Sequence, residues 1–150
     1  MSSLILGESL LTREDFQLLS SRHLKDAQSL LEKNGPEGAV YFAGYAVECA
    51  LKACIAKHMR EGHFPPRRKF VEDYYVHDIA KLFQTAELWT LFTDAQKLNL
   101  GLNDSWQLVK IWNEQKRYDV QAVSQAEAEA FFKAVVDPID GVLTWIRSHW

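Results

Sequence analysis

The sequence predicts an all-α protein, and three observations lead to that fold class. Apolar residues recur every three to four positions over residues 13–33, as on one face of an amphipathic helix. Residues 39–56 (AVYFAGYAVECALKACIA) are apolar apart from two charges, which is typical of a helix at the centre of its domain. No alternation of useful length with the period of a β-strand occurs in the sequence. We therefore expect an antiparallel bundle of four principal helices with one or two additional short helices.

Length and composition suit a single domain over residues 1–150. The chain is 47% hydrophobic and 12% aromatic, and its formal net charge is -3. These values are ordinary for a soluble globular protein, and they exclude the strongly basic character of many nucleic-acid-binding proteins. Residues 1–12 lack the basic region and the long apolar core of an export signal, so we expect a loosely attached N-terminal segment. The expected location is the cytoplasm, without membrane association.

The first two helices are expected over residues 13–33 and about 37–58. Asn34-Gly35-Pro36 separates them, because glycine and proline both interrupt a helix at such a position. The second helix contains Cys49 and Cys54, which are five residues apart and point in different directions. A disulfide between them is therefore implausible, and we expect reduced, buried thiols.

The middle of the chain carries weaker helical signals. Residues 61–75 contain two adjacent prolines and no helical period, which predicts a long loop. A short helix is expected to begin near His77, where Asp78 would be favourably placed against the N-terminal dipole. Further helical segments are expected at about residues 87–99 and 105–112.

The last helix is expected to begin at a capping box formed by Ser124 and Glu127. One apolar face then continues to the C-terminus. Pro138 falls inside this pattern, so we expect it to kink the helix. The apolar face comprises Ala128, Phe131, Phe132, Val135, Ile139, Val142, Leu143 and Ile146.

The best clue to function is a polar stripe on the second helix. Tyr41, Tyr45, Glu48 and Lys52 follow one another in steps of four, three and four residues, which places them along one line of the helix surface. A polar line on an otherwise apolar helix must face a groove, a partner or water.

The stretch YFAGYAVECALKACIA resembles the signature helix of the HEPN family, which is named for presumed nucleotide binding in higher eukaryotes and prokaryotes. Two further motifs follow in the family's order: His77-Asp78 opening a helix with a later leucine, and Arg117-Tyr118 before the last helix. The resemblance spans about residues 13–147. It implies a helical bundle, a symmetric homodimer and, in prokaryotes, a small nucleotidyltransferase as partner.

The polar stripe, taken together with these motifs, leads to a hypothesis of where a ligand would bind. A nucleotide or RNA phosphate would meet a groove lined by Tyr45, Glu48, Lys52, His77, Arg117 and Tyr118. The guanidinium of Arg117 suits a phosphate, because its donors form a rigid fork. Neither a cofactor nor a metal ion is expected, because an isolated His-Asp pair is a poor metal signal and no Glu-x-x-His occurs.

Many HEPN proteins are metal-independent ribonucleases with a histidine four to six residues after the motif arginine. No histidine follows Arg117 at that spacing, so the sequence favours a binding component without catalytic activity.

Two alternatives remain. A degenerate ribonuclease could use Arg117 with His77 as a relocated acid-base group. A dimeric scaffold would instead use Glu48, Lys52 and Arg117 as a buried ion network, with Arg117 pairing with Glu48.

Other conspicuous residues have simpler interpretations. His77 at a helix start is typical of a capping or hydrogen-bonding residue, and His23 is expected to pack in the seam of the first helix. The basic cluster Arg67-Arg68-Lys69 could contact phosphate or an acidic partner, but such clusters are usually solvated loops. Most of the five tryptophans are expected in the core. Small residues around Gly44 are expected to let another helix approach closely.

Overall fold

The computed structural model describes residues 11–59, 76–115 and 120–150. Within those ranges the chain forms seven α-helices and no strand, which confirms the all-α fold class. The helices are α1 (Arg13–Glu32), α2 (Pro36–Met59), α3 (Ile79–Thr85), α4 (Trp89–Leu98), α5 (Leu100–Val109), α6 (Gln125–Val136) and α7 (Val142–Arg147). The predicted loop at residues 61–75 lies outside the described residues.

Helices α1 and α2 form an antiparallel hairpin with well-defined ends. Thr12 and Asp15 make a capping box at the start of α1. At its end, Asn34 takes a left-handed conformation with φ 58°, and the Gly35 N–H donates to the Leu30 carbonyl at 2.7 Å. Pro36 then occupies the first position of α2, where its missing N–H costs nothing. These contacts confirm the predicted stop between the two helices.

Helix α2 is the centre of the molecule. It packs against α1, α3, α6 and α7, and its buried residues face several directions around the helix. Within the described chain it is the one helix long and apolar enough to cross a membrane, but 72% of its most apolar window is buried inside the protein. Burial of this extent is typical of the core helix of a soluble protein.

A second part of the core is aromatic and joins the shorter helices to the bundle. The rings of Phe83 and Phe92 stack with their centroids 4.2 Å apart, and the edge of Trp106 meets both. Trp89 and Trp145 pack against the same rings. Of the five tryptophans, Trp106 and Trp112 are buried in the core, whereas Trp89, Trp145 and Trp150 are partly buried and pack against it, so the expectation that most lie in the core holds only in part.

The boundaries of α5 differ from the prediction. Instead of residues 105–112, the helix spans Leu100–Val109 and follows α4 directly. Asn99 explains the early start, because its extended backbone ends α4 and its side chain accepts a hydrogen bond from the Leu102 N–H at 3.2 Å.

Pro138 ends a helix rather than kinking it, so this prediction was wrong. Helix α6 stops at Val136, and Asp137, the residue before the proline, is extended with ψ 131°. The Asp137 carboxylate then accepts hydrogen bonds from the backbone N–H groups of Ile139 and Asp140, which stabilises a turn. Ile139 lies on this turn and is 81% exposed, so it does not belong to the apolar face.

The small residues of α2 do not all face a helix backbone. The indole of Trp112 lies directly over Gly44, and a Cβ atom placed on Gly44 would come within 2.1 Å of the indole Nε1. The side chain of a residue beyond the end of α5 therefore fills the space that the sequence assigned to another helix.

Replacing Gly44 with alanine should therefore destabilise the protein. Because a Cβ atom would overlap three atoms of a buried indole, the overpacking cost is at the upper end of the usual range, about 3 kcal/mol. This cost exceeds the roughly 1 kcal/mol of helix propensity that alanine recovers. Gly38→Ala is the matched control, because its Cβ would meet the flexible end of the Leu30 side chain, with Cδ1 at 2.8 Å, rather than a rigid buried ring. Urea denaturation should show a clear loss of unfolding free energy for Gly44→Ala alone. Equal effects of the two variants would contradict this packing.

The two thiols of α2 should be chemically inert in the folded protein. Both cysteines are free and buried, and burial raises the pKa of Cys49 and of Cys54 from 9.0 to about 12. At about pH 8 both remain protonated, and only the thiolate reacts. Ellman's reagent should label them slowly in the native protein and rapidly in urea. Rapid labelling without denaturant would contradict the burial of these side chains.

Candidate functional site

Three side chains converge on the inner part of the polar stripe. The Glu48 carboxylate accepts a hydrogen bond from Lys52 Nζ at 3.0 Å and lies 3.0 Å from Nδ1 of His77 through both of its oxygens. We call Glu48, Lys52 and His77 the polar centre. Since a carboxylate only accepts hydrogen bonds, the proton of the shared bond lies on Nδ1 of the imidazole.

The elements that carry the polar centre follow from local sequence. Glu48 and Lys52 are four residues apart on α2, which puts them on the same face one turn apart. His77 directly precedes Asp78, whose side chain caps α3 by accepting from the Lys81 N–H at 2.9 Å. Because α3 packs against α2, the start of α3 brings the imidazole to the carboxylate.

Exposure falls steeply across the polar centre. The Glu48 side chain is 3% exposed, that of Lys52 is 11% exposed and that of His77 is 40% exposed. A carboxylate buried to this degree needs compensating partners, because desolvation disfavours its charge. Lys52 supplies the opposite charge, and His77 connects the pair to the surface.

An aromatic cluster adjoins the polar centre on the N-terminal side of Glu48. The edge of Tyr45 faces His77 with the ring centroids 6.2 Å apart, and the Tyr45 ring also meets Tyr41 at 4.9 Å and Trp112 at 5.2 Å. Burial, the hydrogen bond with Tyr41 and the charge of Glu48 raise the pKa of Tyr45. Its hydroxyl therefore stays protonated and able to donate at neutral pH.

His23 belongs to the same cluster from the α1 side. Its ring stacks on Phe42 at 5.7 Å and lies 5.6 Å from Tyr45, which confirms that it packs in the seam of α1. Burial lowers the pKa of His23, although the charges of Asp26 and Glu48 partly oppose that effect. The imidazole is therefore neutral at pH 7 and acts as a packing residue.

The structure brings together four of the six residues predicted for the ligand groove: Tyr45, Glu48, Lys52 and His77. Arg117 and Tyr118 lie outside the described residues, as does the basic cluster at residues 67–69. The alternative pairing of Arg117 with Glu48 is therefore not described, whereas Lys52 and His77 are seen to bind this carboxylate.

Sequence reasoning missed the role of Trp112 at this site. From the sequence, Trp112 was one of several expected core residues. In the structure its indole packs against the rings of Tyr41 and Tyr45, the two tyrosines of the polar stripe. The available signal was Gly44, since a glycine between two tyrosines on a buried helix leaves room for a large ring. The path of the chain after α5, which places Trp112 over Gly44, depends on tertiary packing.

The polar centre offers few ligands for a metal ion. In the part of the chain that the structure describes, no group of three histidine, cysteine, aspartate or glutamate side chains is close enough to hold one.

Comparison with protein-family models decides the family. The model of the HEPN domain matches residues 18–139, about four fifths of the 150-residue chain. The chain belongs to the HEPN family. Neither the curated proteins nor the solved structures gave a match. Family membership indicates a function related to nucleotides or RNA.

Two of the three motifs on which the sequence resemblance rests lie next to each other in the structure. Glu48 comes from the signature helix and His77 from the His-Asp motif, and the two side chains share a hydrogen bond. The match begins within α1 and continues past the end of α6, so the polar centre lies inside the matched range.

Removing the Glu48 carboxylate should destabilise the HEPN domain strongly. Glu48→Ala leaves the buried ammonium of Lys52 without its partner, at a cost of about 3–5 kcal/mol. The double variant Glu48→Leu with Lys52→Met removes both charges and should recover much of that loss. Urea denaturation measures both effects. A loss below about 1 kcal/mol for Glu48→Ala would show that the pair is well solvated.

Proposed function

We propose that this HEPN domain is a non-catalytic binding component of a prokaryotic two-protein system and holds a phosphate group of a nucleotide or RNA at the polar centre. The observation that carries the proposal is the buried Glu48 carboxylate, which fixes two nitrogen donors from separate elements at 3.0 Å each. Recognition of an anionic group requires hydrogen-bond donors that are held in fixed positions near the protein surface.

Donor capacity remains after the polar centre is assembled. The ammonium of Lys52 carries three hydrogens, of which one is directed to Glu48. His77 uses Nδ1 for Glu48, and no hydrogen bond to its Nε2 is found among the described residues. A phosphate oxygen can therefore bind Lys52 directly, and it can bind His77 when Nε2 is protonated.

Charge balance explains why a further cation matters. Glu48 and Lys52 cancel each other, so the polar centre with a neutral imidazole has no net charge. A phosphate would need further positive charge, and Arg117 is the family motif residue that could supply it. The residues just before the Arg117 motif lie close to the aromatic cluster. Trp112 packs against Tyr45, and the charge of Glu114 contributes to the raised pKa of Tyr45.

The aromatic cluster supports binding of a base beside the phosphate. Tyr41 and Tyr45 are only partly buried, and the Tyr45 ring meets both His77 of the polar centre and Tyr41. Nucleobases bind single rings of this kind by stacking, with little dependence on base identity. Tyr118 would extend this surface.

The second protein of the system is expected to be a small nucleotidyltransferase, and the HEPN domain itself is expected to form a homodimer. Both expectations rest on family membership and on the prokaryotic branch that the motifs resemble.

A ribonuclease is the second candidate function, because the bond between Glu48 and His77 favours it. A carboxylate that holds Nδ1–H leaves Nε2 as the basic nitrogen, which is the arrangement of an imidazole that accepts a proton. His77 would then replace the histidine that does not follow Arg117.

Binding of ATP and of a short single-stranded RNA, both in EDTA, tests the proposed function. Calorimetry and fluorescence anisotropy should detect binding by the native protein. Arg117→Ala should weaken it about tenfold or more, since a charge-assisted hydrogen bond contributes roughly 1.5–3 kcal/mol. His77→Gln should weaken it less. The control is Lys97→Ala, which removes a cation exposed on α4.

The outcomes separate the candidate functions. Unchanged affinity in Arg117→Ala would remove the central contact of the proposed site. RNA cleavage that is lost in both Arg117→Ala and His77→Gln would establish the ribonuclease instead. No binding of either probe would leave the polar centre as a structural ion network.

A further inference from the structure

A separate apolar groove lies on the side of α2 that carries Val40. It has a volume of about 230 Å³ and runs between the end of α5 and the first half of α6. Leu108 and Ile111 line it from the α5 side, and Ala130 and Phe131 line it from α6. We call it the α5–α6 groove. It contains none of the residues of the polar centre.

The groove exposes apolar surface at its edge and buries it at its base. Ile111 is 62% exposed and Leu108 is 43% exposed, whereas Val40 and Phe131 are buried. Apolar side chains that are solvent-exposed beside a preformed depression are typical of protein interaction sites.

Its shape fits an α-helix. Leu108 and Ile111 are three residues apart on one side, and Glu127, Ala130 and Phe131 follow the i, i+3, i+4 spacing on the other. A row of side chains on a third helix can pack into the depression between two such rows. The small side chain of Ala130 leaves room for a large apolar side chain of the incoming helix.

Charge at one end of the groove narrows the choice of partner. The Glu127 carboxylate accepts from the Ser124 N–H at 2.9 Å, and this bond lowers the pKa of Glu127. The Glu37 carboxylate accepts from the Val123 N–H at 3.0 Å. Adjacent backbone groups therefore hold two carboxylates at the same end, and residues 121–132 contain neither lysine nor arginine. A basic partner complements this end.

We propose that the α5–α6 groove binds an amphipathic helix of a partner protein, with a large apolar side chain in the groove and lysine or arginine facing Glu37 and Glu127. Helices of this kind bind in grooves through apolar residues at i, i+3 or i+4 and i+7. The exposed Ile139 of a second copy does not meet this requirement, because Asp137 and Asp140 flank it.

Two labelled synthetic peptides test the proposal with the full-length protein. Both form amphipathic helices with leucines at the same positions, and they differ only in carrying lysine or glutamate beside the leucines. Fluorescence anisotropy should show that the lysine peptide binds about tenfold or more tightly than the glutamate peptide. The preference should shrink between about 50 mM and about 0.5 M NaCl, because salt screens exposed charges.

Variants locate the binding. Ile111→Gln and Ala130→Trp change exposed positions of the groove and should each weaken the lysine peptide about tenfold. Glu37→Gln keeps an acceptor for the Val123 N–H while removing the charge, so it should reduce only the preference for lysine. Leu98→Gln changes an exposed leucine outside the groove and is the control.

Three results would overturn the proposal. The first is that the lysine peptide does not bind. The second is that it binds, but Ile111→Gln and Ala130→Trp leave its affinity unchanged. The third is that the protein forms a dimer, which Ile111→Gln dissociates but the lysine peptide does not dissociate. The last result would identify a second copy of the chain as the occupant. Binding of ATP and RNA should be the same in all groove variants, so failure here is distinct from failure of the proposed function.

Discussion

The structure depends on how one carboxylate is accommodated inside an apolar helix. Helix α2 packs against four other helices, and Glu48 lies at its centre with 3% of its side chain exposed. An unpaired charge at such a position would cost several kcal/mol, more than most single contacts provide. Lys52 supplies the charge from the next turn of the same helix, and His77 supplies a hydrogen bond from the chain before α3. The start of α3 therefore lies beside the middle of α2.

The residues of the polar centre contribute both to stability and to the candidate function. Their solvent exposure distinguishes the two roles. Glu48 is buried and positions other groups, whereas His77 is 40% exposed and can contact a ligand. Lys52 lies between these extremes. Because Glu48 and Lys52 neutralise each other, the polar centre alone is a positioning device, and anion binding depends on additional charge brought by His77 or by the Arg117 motif.

Trp112 connects the two surfaces of the molecule that carry proposals. Its indole lies over Gly44, contacts Tyr45 of the aromatic cluster and also lines the α5–α6 groove. A helix bound in the groove would therefore touch the ring that supports Tyr45. A partner protein and a phosphate ligand would bind on either side of a single buried ring.

The sequence by itself determined the fold class, the hairpin of α1 and α2, and the neighbouring positions of Glu48 and Lys52. These features depend on helical periodicity, on glycine and proline, and on residues within one or two turns of each other. It did not determine that Asn99 starts a new helix or that Pro138 ends one, because a helix boundary depends on competing local hydrogen bonds. Tertiary structure alone decided that His77 binds Glu48 across 29 residues and that Trp112 fills the space over Gly44. Such contacts depend on how α3 and α5 dock onto α2, and the sequence spacing of two residues carries no information about that geometry.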